Sequence, residues 1–413
     1  MVTVVGLGFV GLTTALGFAH LGYDVYGVDI DEARKTTLRS GKIPFLEPYM
    51  DEVLTEHLNK NFFVTDDIKA AIAKSEFVFY CVGTPYGKDG AADLTYLFSA
   101  VDSTVEAISD NKFRVLVIKS TIPPSTTAEK IYPYVQSKGD VAQNLGVANN
   151  PEFLREGFCW EDFIKADRIV LGCNDKKSEQ MLIELYKPMN IPIITVAHNT
   201  SEFIKYLSNT LLATLISYSN EMAQIAEAIG GINVSDAFKT LHMDKRWGNS
   251  KMKSYAYPGC GYGGYCLPKD TSALYHQATQ KGFKPLILKN VITTNEKIAK
   301  AVAKKICRGM SKNKVIGILG LSFKPESDDV RDSPAFKIIT ELNAMGYTKI
   351  YAYDPVASEG FAAKYSDIRL SYCKNVQEVY DVSDTVAIVT AWQEFKAVSK
   401  LGNKPVIDCR YML

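Results

Sequence analysis

The sequence has little that would send a chain to a membrane, a nucleic acid or an oxidising compartment. No apolar run reaches the ~18 residues needed to span a bilayer. The formal net charge is only +1, which gives no electrostatic reason to expect nucleic acid or a charged lipid surface as partner. No basic stretch precedes the first apolar run. Residues 2–5 lead straight into a glycine motif and read as a strand rather than a secretory signal. The eight cysteines are scattered without a Cys-x-x-Cys, and no histidine pair stands at zinc spacing. Reduced thiols, a cytoplasmic setting and no metal are expected. What is present is globular material: 46% hydrophobic and 23% charged residues over 413 positions, enough for two or three domains.

The chain begins as a dinucleotide site would. A strand runs into Gly6-Leu-Gly8-Phe9-Val10-Gly11, and a helical pattern through Leu12, Ala15, Leu16 and Ala19 stops at Gly22. A second strand over 24–28 ends at Asp29, 18 residues beyond Gly11. Glycines so placed permit a tight turn and the approach of a pyrophosphate, whose charge the following helix N-terminus favours. A carboxylate at Asp29 accepts from a ribose 2′-hydroxyl and repels a 2′-phosphate. NAD is therefore expected over NADP, with Arg34 nearby weakening the preference slightly. Further buried strands are predicted over 77–82, 114–119, 146–148 and 168–171. Polar loops follow three of them: Gly83-Thr84-Pro85, Ser120-Thr121, and Asn149-Asn-Pro-Glu152-Phe153-Leu154-Arg155-Glu156. In an open parallel sheet the ligand sits beyond the carboxyl ends of the strands, so Thr121, Glu152 and Glu156 are candidates to face it. Taken singly, each is more often a helix cap or a solvated loop residue.

A long helix is predicted next, from a capping-box pattern at Asn199-Thr-Ser-Glu202 to a stop at Gly230-Gly231. It spans about thirty residues, or roughly 45 Å. Its apolar face, which includes Phe203, Leu207, Leu211, Leu215, Ile225 and Ile229, is too broad for one domain to cover. The helix should link two domains and supply a homodimer interface. Lys205 and Asn209 share one edge at i and i+4, a spacing that suits an anionic oxygen and equally a solvated pair. From 312 an α/β pattern restarts, with strands over 314–319, 349–353, 385–390 and 405–408 and a helix over 334–345. The strand over 349–353 finishes at Asp354 as the earlier one finishes at Asp29, yet Gly-x-Gly-x-x-Gly is missing, so the ligand here should differ from NAD. The expected class is α/β, with two Rossmann-like domains, 1–197 and 306–413, joined by a long central helix and helical bridge over 198–305.

The stretch from Gly259 to Asp270 holds four glycines in six positions, Gly259, Gly261, Gly263 and Gly264, and suits neither helix nor strand. Such density lets a backbone approach a ligand closely. It ends on Cys266, with Lys269 and Asp270 just behind, and nearby cations favour the thiolate a nucleophile needs. A tight surface turn beside an incidental cysteine has the same composition.

Together these stretches closely resemble the UDP-glucose/GDP-mannose dehydrogenase family, from end to end. The resemblance rests on Gly6-x-Gly8-x-x-Gly11, Gly83-Thr84-Pro85, Ser120-Thr121, Asn150-Pro-Glu152-Phe-Leu-Arg-Glu156, Lys205 with Asn209, Gly263-Gly-Tyr-Cys266-x-Pro-Lys-Asp270, and Phe323-Lys324-Pro with Arg331. It implies oxidation of the C6 alcohol of a nucleotide sugar to a carboxylate with two NAD, through a thioester on Cys266. Lys205 and Asn209 would hold the oxyanion, and Asp270, Thr121 and Glu152 would order or activate water. Glu156 and Arg331 would lie near the nicotinamide, Thr84 with the cofactor, and Lys324 near the substrate. Phe153, Leu154, Arg155, Arg246, Tyr255, Gly263 and Arg410 would complete the substrate site. Tyr265 and Lys269-Asp270 point to UDP-glucose or GDP-mannose rather than an N-acetylated sugar. The run from Met243 to Asn249, upstream of Tyr255, resembles the UDP-glucose branch, in which Arg246 would reach the neighbouring subunit's site. Three positions depart from the pattern: Cys260, Ser125 where glycine is usual, and the partial match Asp408-Cys-Arg410-Tyr411. Two other readings stay open, a two-electron hydroxyacid-type dehydrogenase and a non-catalytic nucleotide-sugar sensor.

Overall fold

The computed structural model describes residues 1–87, 90–247 and 251–413, and only the backbone of Arg246 and Lys251. The chain divides into two compact units, Met1–Leu207 and Ser208–Leu413.

The described residues of the first unit form a sheet of order β3-β2-β1-β4-β5-β6-β7-β8. Its strands are β1 (Val2–Val5), β2 (Val25–Val28), β3 (Phe62–Val64), β4 (Phe77–Tyr80), β5 (Arg114–Ile118), β6 (Leu145–Asn149), β7 (Ile169–Cys173) and β8 (Ile193–Val196). Strands β1, β4 and β5 are buried along their whole length, because alternate side chains feed two cores on opposite faces. Val2, Val4, Phe77, Phe79, Val115 and Val117 enter one. Val5, Val78, Tyr80, Leu116 and Ile118 enter the other. Central strands of a parallel sheet read as unbroken apolar runs for this reason. Two details depart from expectation. β7 pairs antiparallel with β6, and β3 and β8 add edges that their short, partly exposed segments did not announce.

The second unit repeats the plan at smaller size. Its sheet has the order β11-β10-β9-β12-β13, built from β9 (Ile316–Leu319), β10 (Ile350–Tyr353), β11 (Ser371–Tyr372), β12 (Thr385–Ile388) and β13 (Val406–Asp408), with every pairing parallel. The central helix, His198–Ile229, has 32 residues and contains the boundary between the units. It ends at Gly230 and Gly231, both at positive φ (81° and 72°), a conformation glycine adopts without steric cost. The expected capping box is not formed: the helix already begins at His198, and Glu202 Oε1 accepts from Thr127 N at 2.8 Å instead. Leu211, Tyr218 and Ile225, spaced by seven, are 47%, 54% and 46% exposed, and Ile229 is 70% exposed. Among the described residues no helix is long and apolar enough to cross a membrane.

Candidate active site

In the first unit the three glycines of the opening motif answer to different constraints. Gly6 has φ +90°, and a Cβ there would meet Cys81 O at 2.8 Å. A Cβ at Gly11 would fall 1.7 Å from Gly6 O. Both are imposed by the turn and by helix-to-strand packing. Gly8 is different: a Cβ would meet nothing within 4 Å, so open space lies at the N-cap of the helix Phe9–His20. The protein does not itself require glycine there, whereas a pyrophosphate resting on the helix N-terminus does. Asp29, at the end of β2, is buried, with Oδ2 accepting from Leu7 N at 2.6 Å and from Arg34 Nη1 at 2.9 Å. Arg34 is thus held by Asp29. Phe9 and Val10 form the first turn of the helix. These residues fit an NAD pyrophosphate and adenosine ribose.

Beyond β4, β5 and β6 the polar loops gather. Thr84 Oγ1 donates to Thr121 O at 2.7 Å, which ties two of them together. Glu152 and Lys205 are both buried and pair at 2.8 Å. Burial alone would raise the Glu152 carboxyl, but Lys205, the N–H of Leu154 (2.6 Å) and Lys119 hold it below its ordinary range. Lys205 also lies 5.5 Å from the centroid of the Phe153 ring. Sequence reasoning passed over Lys119, which is buried, donates to Asn150 Oδ1 at 2.9 Å and has its pKa lowered by desolvation. Its place at the end of a buried strand was the available signal. Arg155 makes a two-point pair with Asp162 (2.8 and 2.6 Å). Glu156 is half-buried, in a loop whose Gly157 and Cys159 amides are held by the buried carboxylate of Glu47.

The second unit carries the thiol. Cys266 is exposed and is the first residue of a helix, Cys266–Gln280, where the sequence suggested only a loop. Pro268 is tolerated because it falls in the first turn, whose N–H groups have no intrahelical acceptor. A helix N-terminus favours negative charge. One turn on, Lys269 is 2% exposed and Asp270 0%. Their contact of 2.5 Å keeps the lysine charged: burial would lower its pKa, but Asp270 and then Cys266 raise it. Asn209 Nδ2 donates to Asp270 Oδ2 at 2.6 Å, leaving the second amide hydrogen for another acceptor.

Two of the loop glycines are close-contact positions. A Cβ at Gly263 would meet Asp332 O at 2.4 Å, and at Gly259 it would meet the Arg410 guanidinium at 2.2 Å. Gly264 N donates to Arg331 O at 2.9 Å, so the loop is clamped on the segment that carries Phe323, Lys324 and Arg331. Arg331 pairs with Asp329 at 2.7 Å and stacks 4.8 Å over Tyr265. Lys324 lies 5.5 Å from the Phe323 ring centroid. Arg410 Nε is buried without a hydrogen-bond partner. Tyr255 is half-buried. The side chain of Arg246 and residues Gly248 and Asn249 lie outside the described residues. Cys260 is buried, 3.7 Å through Sγ from Cys409 O, unlike the exposed Cys266.

The resemblance read from motifs holds over whole domains. Residues 1–190 match the NAD binding domain of the UDP-glucose/GDP-mannose dehydrogenase family, 199–297 its central domain and 317–413 its UDP binding domain. The chain belongs to the UDP-glucose/GDP-mannose dehydrogenase family. UDP-glucose 6-dehydrogenase TuaD of Bacillus subtilis (strain 168) is 36% identical, over 98% of this chain and 88% of that one. The UDP-glucose 6-dehydrogenase of Rickettsia felis is 38% identical, over 97% and 88%. A solved UDP-glucose dehydrogenase from the hyperthermophilic archaeon Pyrobaculum islandicum has a TM-score of 0.92 at 34% identity, covering 99% of this chain and 94% of that one.

As a dehydrogenase of this family the chain takes NAD in its first domain. Its second sheet explains why the dinucleotide motif is not repeated. Gly320 (φ +102°) and Asp354 stand as Gly6 and Asp29 do. Asp354 Oδ2, however, accepts from Leu321 N (2.8 Å), Ser322 N (3.0 Å), Ser322 Oγ (2.9 Å) and Trp392 Nε1 (3.2 Å). A carboxylate so filled has no place left for a ribose hydroxyl.

Proposed function

We propose that the enzyme oxidises the C6 hydroxyl of UDP-glucose to the carboxylate of UDP-glucuronate, a four-electron reaction with two NAD per product. The observation that carries this reading is Cys266: an exposed thiol at a helix N-terminus, backed by a buried Lys269–Asp270 pair. A two-electron dehydrogenase needs no such thiol, and neither does a sensor. The names of the relatives favour UDP-glucose over GDP-mannose.

Bound NAD supplies the hydride acceptor. After the first hydride leaves, Cys266 Sγ adds to the aldehyde carbon, so the carbon stays bonded to the enzyme between the two oxidations. The oxygen of the adduct is held by Lys205 Nζ and the second N–H of Asn209, which stand one helical turn apart. Donors of this kind contribute roughly 3–4 kcal/mol to transition-state stabilisation. Loss of the second hydride leaves a thioester. Water ordered by Glu152, Thr121 and Asp270 adds to it, giving the carboxylate and returning the thiol. Glu152 suits this task because Lys205 keeps it ionised. In the second unit, Lys324, Tyr255 and Arg410 serve the nucleotide sugar, the Nε–H of Arg410 lacking an acceptor until it binds. We also assign the exposed stripe of the central helix to a homodimer interface.

NADH formation with a panel of UDP- and GDP-sugars tests the substrate. UDP-glucose should give the highest kcat/KM. Preference for GDP-mannose or an N-acetylated sugar would contradict the reading.

A further inference from the structure

A cluster of metal-ligating side chains stands apart from the machinery of oxidation. His20 closes the helix Phe9–His20, and Glu56 and His57 close the helix Met50–His57. One ligand atom from each, two imidazole nitrogens and a carboxylate oxygen, lies within 4.8 Å of the others. His20 and Glu56 are exposed, whereas His57 is 9% exposed.

The second observation concerns the hydrogen on His57. Asn61 Nδ2 donates to Ala19 O at 2.7 Å. A carbonyl oxygen only accepts, so this bond fixes which end of the Asn61 amide is the NH2 group. Asn61 Oδ1 therefore faces His57 Nδ1 at 3.0 Å and must receive a hydrogen from it. In the neutral ring Nε2 then carries a lone pair. Nε2 is also buried without a hydrogen-bond partner, 4.0 Å from the nearer Glu56 oxygen. An imidazole whose Nδ1–H is held by an amide oxygen, with Nε2 turned to other ligands, is the arrangement by which proteins orient a metal-binding histidine. Both helices also end here, and the negative end of a helix dipole favours a cation.

We propose that His20, Glu56 and His57 bind one divalent transition metal ion, of the zinc or cobalt type. Two imidazoles and a carboxylate match such borderline ions and not magnesium or calcium, which take oxygen ligands. Tetrahedral ligand atoms ~2.0–2.2 Å from a metal lie a little over 3 Å apart, so the cluster has to contract, and the exposed His20 and Glu56 side chains supply that movement. Three protein ligands leave one position for water. The Gly-rich turn is at the other end of the Phe9–His20 helix, about 16 Å away along its axis. The ion therefore joins two helix ends and takes no part in hydride transfer. Spacing concealed the site, since His20 and His57 are far apart in sequence and meet only through the packing of their helices.

Cobalt(II) titration of the chelator-stripped full chain tests it, in a Cys266→Ser background so that the exposed thiol cannot take the ion. One equivalent should bind with visible d–d absorption and no sulfur-to-cobalt charge-transfer band, and zinc should raise Tm. His20→Ala and Glu56→Gln, both at exposed positions, should each weaken binding at least tenfold while leaving the metal-free Tm nearly unchanged. Absence of stoichiometric binding, a thiolate-type spectrum, or undiminished affinity in the doubly substituted chain would overturn the proposal. The outcome does not depend on turnover, so it is separable from the assignment of UDP-glucose.

Discussion

Glu202 shows how a single side chain can look local in sequence and prove to be tertiary. It stands at the third position of an apparent capping box, yet its carboxylate turns to the loop after Thr121 and accepts from Thr127 N. Burial pushes its pKa up to about 7, against smaller lowering effects from Thr127 and the neighbouring backbone N–H groups of Ser125 and Thr126. The sign of the stability effect follows from linkage. Between the ordinary value of 4.5 and about 7, the folded chain keeps a proton that the unfolded chain has released. Stability therefore falls as pH rises through that window, by up to about 3 kcal/mol. Glu202→Gln mimics the protonated form. Its Tm should match the parent's at pH 5 and exceed it at pH 8, and a constant difference across that range would contradict the assignment. Ser125, on the same loop, has φ +72°. This explains why glycine is usual at the position, since the left-handed region costs a side chain roughly 1–2 kcal/mol. The departure was legible in the sequence; its reason lies in a backbone angle.

Among elements, those with strict local rules were the readable ones. Strand β1, the glycine turn, the first helix and β2 follow from the spacing of Gly6, Gly8, Gly11 and Asp29. The central helix follows from its periodicity. Elements fixed by packing were not readable. The helix at Cys266 begins immediately after a glycine run and contains Pro268, so propensity argued against it. Nothing in 169–173 says that β7 runs antiparallel to β6. The residues of the candidate site could be named singly from the sequence, but their pairing could not: Lys205 with Glu152, and Asn209 with Asp270, join positions 53 and 61 apart in sequence. The Asp29 element carries its own prediction. NAD should be preferred strongly over NADP in kcat/KM, and Asp29→Ala should narrow the ratio without abolishing NAD binding. Comparable efficiency with both cofactors in the parent enzyme would contradict it.

At the scale of the whole molecule, the proposed homodimer rests on the exposed Leu211, Tyr218, Ile225 and Ile229 of one helix, since exposed apolar side chains grouped on one element suit a protein partner. A homodimer burying more than ~2,000 Å² in total should persist at micromolar concentration. Sedimentation analysis giving only a 45.8 kDa species would refute it. The central claim is that Cys266 holds the carbon between two oxidations. It is tested most directly by counting NADH per product in the parent and in Cys266→Ser. The parent should yield two NADH per UDP-glucuronate. The serine variant should bind UDP-glucose and NAD nearly as well but turn over several orders of magnitude more slowly, because a hydroxyl is far harder to ionise than a thiol. One NADH per product in the parent, or near-normal four-electron turnover in Cys266→Ser, would contradict the account.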